Sequence, residues 1–270
     1  GTAPAATLIS IRVMDSSLKA DSFSVAAGLL AALDHRAQLV NLSLGSSEDN
    51  PMIRESIGEI GRAPAGKVLV HAHDLVDRCI LLVDGFVARR KDLSDGRSQI
   101  TELHVPGDFT DLHSFSLKRL DHDVVALTNC TLAYVPHAAV KSLTERSPHL
   151  ARVYWFMTNL DAAIHREWEV SLGQRSATER MAHLFCEMHA RLQMVQLACQ
   201  NEFPFPLTQQ MLAACLGVST VHINRTLMLL RAENLIEMER GKVTIPDLRR
   251  LQSIADFDPH YLYLEKRPRL

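Results

Sequence analysis

One predicted helix, around residue 222, carries a face rich in side chains that form hydrogen bonds. Arg225 has a planar guanidinium that can make two hydrogen bonds to guanine, and His222 and Asn224 lie beside it. Thr220 stands near the start of the helix, the end that meets base edges in helix-turn-helix motifs. On the other side lies an apolar stripe of Ile223, Leu227 and Leu230. The pattern predicts a helix that packs with one face and contacts DNA with the other.

Two capping residues and a glycine position this helix. Thr208 can cap a first helix and Ser219 a second, because each hydroxyl can accept a hydrogen bond from an amide of the first turn. Gly217 lies between them, where a tight turn requires a positive φ angle. The spacing predicts a helix-turn-helix over about Thr208–Ala232. An ordinary helical hairpin in an all-α domain is the alternative interpretation.

A short β-hairpin is predicted directly after the two helices. Leu235–Met238 and Lys242–Ile245 are strand-like and flank the turn pair Arg240-Gly241, which would make the unit winged and give it a basic tip for phosphate. The residues predicted to contact DNA are Thr208, Gln209, Ser219, Thr220, Val221, His222, Asn224, Arg225 and Lys242.

The composition restricts where such a surface can lie. The chain has 270 residues, of which 47% are apolar and 22% charged, and its net charge is −2, so a DNA-binding surface must be local. It has no run of about 18 apolar residues, and its first residues lack a signal-sequence pattern. The five cysteines lie far apart, which favours reduced thiols. We expect a cytoplasmic protein with no membrane partner.

Between Pro64 and about Pro136, short β-rich runs alternate with turn pairs, which predicts a small antiparallel barrel or sandwich. The turn pairs are Ala65-Gly66, Asp84-Gly85, Asp95-Gly96 and Pro106-Gly107. An Asp-Gly pair supplies the positive φ angles of a tight hairpin.

A long helix is predicted to follow, with Ser147 as its cap and Pro148 at its first position. A four-three-four spacing within it is typical of a dimer seam. The predicted seam residues are Val153, Met157, Leu160 and Ile164. A seam through Leu150, Tyr154 and Met157 would place Asp161 in the interface. As a further alternative, the stripe covers the neighbouring barrel.

Residues 62–264 resemble the Crp/Fnr family of transcription regulators. The order of barrel, long helix and winged helix-turn-helix matches. So do the runs Pro64–Gly66, Gly85–Ala88, Pro106–Phe109, Leu207–Arg225 and Leu235-Ile236. The resemblance implies a homodimer that binds a palindromic site on double-stranded DNA and is switched through its sensor barrel. It also implies RNA polymerase and a small-molecule effector as partners.

The segment at the position of the family's cyclic-nucleotide site departs from the family pattern. Members that bind a cyclic nucleotide have a Gly-Glu-Leu-like segment and a later Arg. This chain has Gly107–Leu112 in place of that segment, and Leu120, Asp121 and His122 lie where the Arg is expected. A cyclic phosphate would lack its charge partner. No cysteine precedes Cys79, so the family's iron–sulfur cluster is not expected either. We expect no cofactor. The candidate effector-binding residues are Gly107, Asp108, Asp111 and His122.

Histidines are frequent in the predicted barrel, and we interpret them as surface residues without a metal. They are His71, His73, His104, His113 and His122. A metal on the His-x-His pair and a proton switch near neutral pH are the alternatives.

Residues 1–57 resemble a different family, the subtilisin-like serine proteases. The runs Ile11–Ser17, Asp21–Phe23 and Val40–Gly45 are similar to the stretch between that family's catalytic His and Ser, a β-α-β-like fragment. No member of the triad falls in it, and catalysis needs nucleophile, base and orienting residue together. We therefore expect no enzyme activity and no catalytic residue. A degenerate subtilisin-like hydrolase fused to a regulatory domain is the alternative function, and a sensor without DNA binding is a third.

The predicted fold class is α+β, with a cyclic-nucleotide-binding-like β-barrel, a long dimerisation helix and a C-terminal winged helix-turn-helix. The predicted segments are a leader at 1–57, the barrel at 58–146, the helix at 147–172, the DNA-binding domain at 173–250 and a tail at 251–270.

Overall fold

The computed structural model describes residues 58–264, and the subtilisin-like stretch at 1–57 lies outside these residues. Two antiparallel sheets form the first part, in the strand orders β1-β7-β3 and β2-β6-β4-β5. The strands are β1 (Glu59–Ala63), β2 (Val68–Val70), β3 (Arg78–Asp84), β4 (Val87–Asp92), β5 (Ser98–His104), β6 (Asp123–Ala126) and β7 (Cys130–Pro136). Apolar side chains from both sheets, among them Ile80, Val87 and Leu132, form one core. This confirms the predicted barrel or sandwich.

The two Asp-Gly pairs play different roles. Asp95-Gly96 lies in the connection between β4 and β5, which pair with each other as the hairpin prediction requires. Asp84-Gly85 instead joins β3 to β4, which belong to different sheets, so the hairpin prediction there is wrong. Gly85 has φ +97°, and an added Cβ would stand 2.7 Å from the carbonyl oxygen of Asn129. This crossing between sheets therefore requires glycine.

A short helix, α1 (Ser114–Leu117), lies between β5 and β6, and two helices follow the last barrel strand: α2 (His137–Arg146) and α3 (Pro148–Gln174). The α3 helix begins as predicted, because the Ser147 hydroxyl accepts a hydrogen bond from the Leu150 amide at 3.3 Å and Pro148 fills the first turn. It continues through Gly173 to Gln174, two residues past the predicted end of this segment at residue 172.

The C-terminal part contains α4 (Ala177–Met194), β8 (Glu202–Pro204), α5 (Gln209–Leu216), α6 (Thr220–Ala232), β9 (Glu237–Glu239), β10 (Lys242–Thr244) and α7 (Leu248–Ala255), and a 3₁₀ turn at Pro259–Leu262. The predicted hairpin is present as β9 and β10, and β8 pairs with the other edge of β10. A sheet beside α5 and α6 makes this a winged helix-turn-helix, so the all-α alternative is wrong.

The main hydrophobic core extends from the C-terminal part into the barrel. It includes Phe185, Phe205 and Leu227 together with Ile100 and Leu103 of β5. Because one core spans both parts, the helix-turn-helix is supported directly by the barrel.

Within residues 58–264, no single helix is long and apolar enough to cross a membrane. The α5 and α6 helices pass the length and composition test only when taken together, and they are bent by 98° at their junction.

Candidate nucleic-acid interface

The turn between α5 and α6 forms as the sequence predicts. The Thr208 hydroxyl accepts a hydrogen bond from the Met211 amide at 3.2 Å, and the Ser219 hydroxyl accepts one from the His222 amide at 3.3 Å. Gly217 ends α5 in the left-handed region with φ +64°. These local signals set the 98° bend between the two helices.

The α6 helix has one buried and one exposed face. Ile223, Leu227 and Leu230 are at most 2% exposed and pack in the main core. Val221 and Met228, in contrast, are 77% and 69% exposed. The nine residues predicted to contact DNA are exposed as well: Thr208, Gln209, Ser219, Thr220, Val221, His222, Asn224, Arg225 and Lys242. Exposure is what a DNA-contacting face requires, and the buried stripe fixes which side chains lie on it.

The cationic side chains of this surface differ in whether they form an ion pair within the chain. Among the described residues, no carboxylate forms an ion pair with Arg225. Lys242, in contrast, donates from Nζ to Glu202 Oε1 at 2.6 Å. A phosphate would have to compete with Glu202 for Lys242. Arg240, which the predicted contact set omitted, lies exposed in the turn between β9 and β10. Its position at the tip of the hairpin was the signal that could have included it.

The candidate effector residues are largely engaged by the chain itself. Asp108 accepts hydrogen bonds from the Val105 amide at 2.8 Å and from Arg191 of α4 at 2.7 Å. Asp111 is fully buried and accepts from the Ile80 amide at 2.6 Å, and burial raises its pKa to about 7. Gly107 has φ +101°, which the turn after β5 uses. Asp108 and Asp111 therefore stabilise the fold through these hydrogen bonds.

The histidines of the barrel differ in how far they are exposed. His71 and His73 are exposed, as the surface interpretation predicts. His104 and His122 are 1% and 7% exposed, so that interpretation is wrong for them. The His122 ring lies 5.4 Å from that of His113, and burial lowers the pKa of both, that of His113 to about 4.

The predicted seam residues of α3 lie against the rest of the same chain. Ile164 is 5% exposed within the main core, and Leu160 packs against that core. Met157 packs on the small cluster around Leu112, and Val153 is half-buried. The alternative, that this stripe covers the neighbouring barrel, describes these contacts. Ile164 is therefore not free for a partner, whereas Val153, Met157 and Leu160 are only partly buried, and a seam through these three residues stays a prediction.

Two family models match the chain. Residues 61–147 match the cyclic nucleotide-binding domain, and residues 179–254 match the Crp-like helix-turn-helix domain. Neither match reaches residues 1–57, whose resemblance to subtilisin-like proteases stays a prediction.

Named relatives cover most of the chain. The transcriptional activator protein FnrL of Cereibacter sphaeroides is 28% identical over 72% of this chain and 79% of its own length. The nitrogen fixation regulation protein FixK of Bradyrhizobium diazoefficiens is 26% identical over 78% of this chain and 88% of its own length.

Solved structures share the fold. FixK2 from Bradyrhizobium japonicum superposes with a TM-score of 0.67 at 22% identity, over 73% of this chain and 96% of that one. A Crp/Fnr-family regulator from Thermus thermophilus gives 0.58 at 20% identity, over 74% and 99%. The two matched domains occur in the same order as the barrel and the winged helix-turn-helix of this structure. The chain therefore belongs to the Crp/Fnr family of transcription regulators.

Proposed function

We propose that this regulator acts as a homodimer that binds a palindromic operator on double-stranded DNA through α6. The observation that carries the proposal is the face of α6 described above, where Arg225 and its neighbours are exposed and the apolar stripe is buried. Two copies related by a two-fold axis would place two such helices in successive major grooves. Because the ligand is DNA, we place the protein in the cytoplasm.

Selection of bound sequences from random DNA by the purified protein tests this proposal. The expected product is an inverted repeat whose half-sites lie about one helical turn apart, roughly 10 base pairs. A selected pool with no common motif, or with a single unrepeated half-site, would contradict it.

The dimer contact is proposed on the outward face of α3. Trp155 and Val170 are 70% and 49% exposed. Trp155, Asn159, Ala162 and Arg166 follow one another at four-three-four spacing, and all are exposed. Large exposed apolar side chains on one helix face mark a surface that a partner covers. The proposed partner is a second copy of this chain, because a two-fold axis would bring the same face of α3 from both copies together.

Charge introduced on this face tests the contact. Trp155→Asp is expected to shift the protein to monomer in sedimentation, because a carboxylate would be buried in the interface. Leu75→Asp is the matched control, since Leu75 is 69% exposed and lies between β2 and β3 rather than on α3. Unchanged dimers of Trp155→Asp, or dissociation by Leu75→Asp, would place the contact elsewhere.

We further propose that the barrel modulates DNA binding in response to an effector, and that the DNA-bound dimer contacts RNA polymerase. The second proposal is supported by the naming of the relative FnrL as a transcriptional activator. Transcription in vitro from a selected site, with and without the protein, tests whether polymerase responds. The relatives are regulators, which supports a function without catalysis.

A further inference from the structure

A buried ion cluster joins the barrel to α3. Arg89 of β4 donates from Nη1 to Glu102 of β5 at 2.6 Å and to the two carboxylate oxygens of Asp161 of α3 at 2.8 and 2.9 Å. Arg89 and Glu102 are 3% and 2% exposed. Two carboxylates thus face one guanidinium, and an excess buried charge costs free energy unless a proton or another cation neutralises it.

Two histidines stand beside these carboxylates at spacings that suit metal coordination. His104 follows Glu102 by two residues on β5, so both side chains leave the same face of the strand. His165 follows Asp161 by one helical turn on α3, so these two share a face of the helix. Glu102 and His104 of β5 therefore face Asp161 and His165 of α3.

The distances within this group match those of a bound metal ion. Glu102 Oε2 lies 3.8 Å from His104 Nε2 and 3.5 Å from His165 Nδ1. His165 Nδ1 donates to the Asp161 carbonyl at 3.0 Å, so the nitrogen that His165 can offer to an ion is Nε2. Ligand atoms of Glu102, Asp161 and His165 all lie within 4.8 Å of one another. Atoms bound to one tetrahedral ion at about 2.1 Å stand roughly 3.4 Å apart, so the side chains need to move only slightly.

The group also contains polar atoms that the described residues leave unsatisfied. His104 Nε2 and Arg89 Nη2 are buried and find no hydrogen-bond partner within residues 58–264. An ion bound beside Glu102 would give the buried His104 nitrogen a partner.

We propose that Glu102, His104, Asp161 and His165 bind one divalent transition-metal ion of the zinc or cobalt kind. Imidazole nitrogens combined with carboxylates favour such ions, whereas Ca²⁺ and Mg²⁺ take oxygen ligands. Arg89 donates to Glu102 Oε2 and to both oxygens of Asp161, so it would share carboxylate oxygens with the ion, as outer donors do around ligating carboxylates. The site replaces the expectation of no metal, and it does not depend on DNA binding.

Titration of the metal-free full-length protein with Co²⁺ tests the site, since bound Co²⁺ shows ligand-field absorption in the visible. We expect saturation at one equivalent, displacement by Zn²⁺ and none by Mg²⁺. His165→Ala, at a partly exposed helix position, is expected to weaken Co²⁺ binding by at least about tenfold. Glu102→Gln keeps the side-chain shape and should weaken binding similarly. Circular dichroism of both variants checks that the fold is kept.

The matched control replaces His71 and His73, the exposed His-x-His pair of the barrel, by Ala. This double variant is expected to bind Co²⁺ as the wild type does. The proposal is overturned if the wild type takes up no Co²⁺ at one equivalent. It is equally overturned if the double variant loses binding while folded His165→Ala and Glu102→Gln retain it. No DNA is present in the measurement, so either outcome leaves the DNA-binding proposal standing.

Discussion

Replacement of Arg225 by Ala isolates the role of the exposed face of α6. Since no carboxylate of the described residues pairs with Arg225, its loss should change the free energy of unfolding by no more than about 0.5 kcal/mol. A bidentate contact to guanine contributes roughly 1–3 kcal/mol of discrimination. Two half-sites in a symmetric dimer double this to about 2–6 kcal/mol, a loss of affinity of roughly 30-fold to 20,000-fold.

Gel shifts on the selected operator and on single-base variants measure both affinity and base preference. Arg225→Lys keeps the charge but lacks the planar fork, so preference at one base pair should relax while the salt dependence stays near that of the wild type. Arg231→Ala is the control on the same helix, because Arg231 already donates to the Met238 carbonyl at 3.2 Å. If Arg225→Ala binds the operator with unchanged affinity and preference, α6 does not contact bases as proposed.

Two further predictions concern buried charges. Arg191 donates to Asp108 at 2.7 Å and to Glu187 at 3.1 Å, and it is 5% exposed. Arg191→Met should therefore lower the free energy of unfolding, measured in urea, by about 3–5 kcal/mol, and adding Asp108→Asn should recover part of this loss. A loss below about 1 kcal/mol would contradict this. Because burial raises the pKa of Asp111 from 3.8 to about 7, the folded protein holds a proton that the unfolded chain releases. Stability from this group therefore falls as pH rises from about 4 to 7, and the stability of Asp111→Asn relative to the wild type should increase over that window. A constant difference would contradict it.

The helix-turn-helix was predictable because its signals are local. Thr208, Ser219 and Gly217 each act within a few residues of their own position, through a cap or a left-handed turn. The alternation of Ile223, Leu227 and Leu230 with polar residues likewise follows from helical geometry alone. Where sequence neighbours determine the structure, the sequence suffices.

Prediction from the sequence is limited where distant residues decide the outcome. The stripe of Met157, Leu160 and Ile164 has the spacing of a seam, but spacing does not say whether a partner or the chain's own barrel covers it. The sequence favours a surface position for His104, because nothing nearby in sequence shows that α3 covers its strand. The signals for the ion cluster, Glu102-x-His104 and an Asp-to-His spacing of one turn on α3, were present, but only the fold brings them together.

The β5 strand connects the barrel to the helices of the C-terminal part through direct contacts. Glu102 faces Arg89 and α3, while Gln99 donates to the Cys215 carbonyl of α5 at 3.2 Å. Directly after the strand, Asp108 is held by Arg191 of α4. A ligand can shift a conformational equilibrium only by binding two arrangements differently, and here the two arrangements would differ in how β5 sits against α3. Because a close-packed core does not deform freely, displacement of β5 would also move the support of α5 and change the presentation of α6 to DNA.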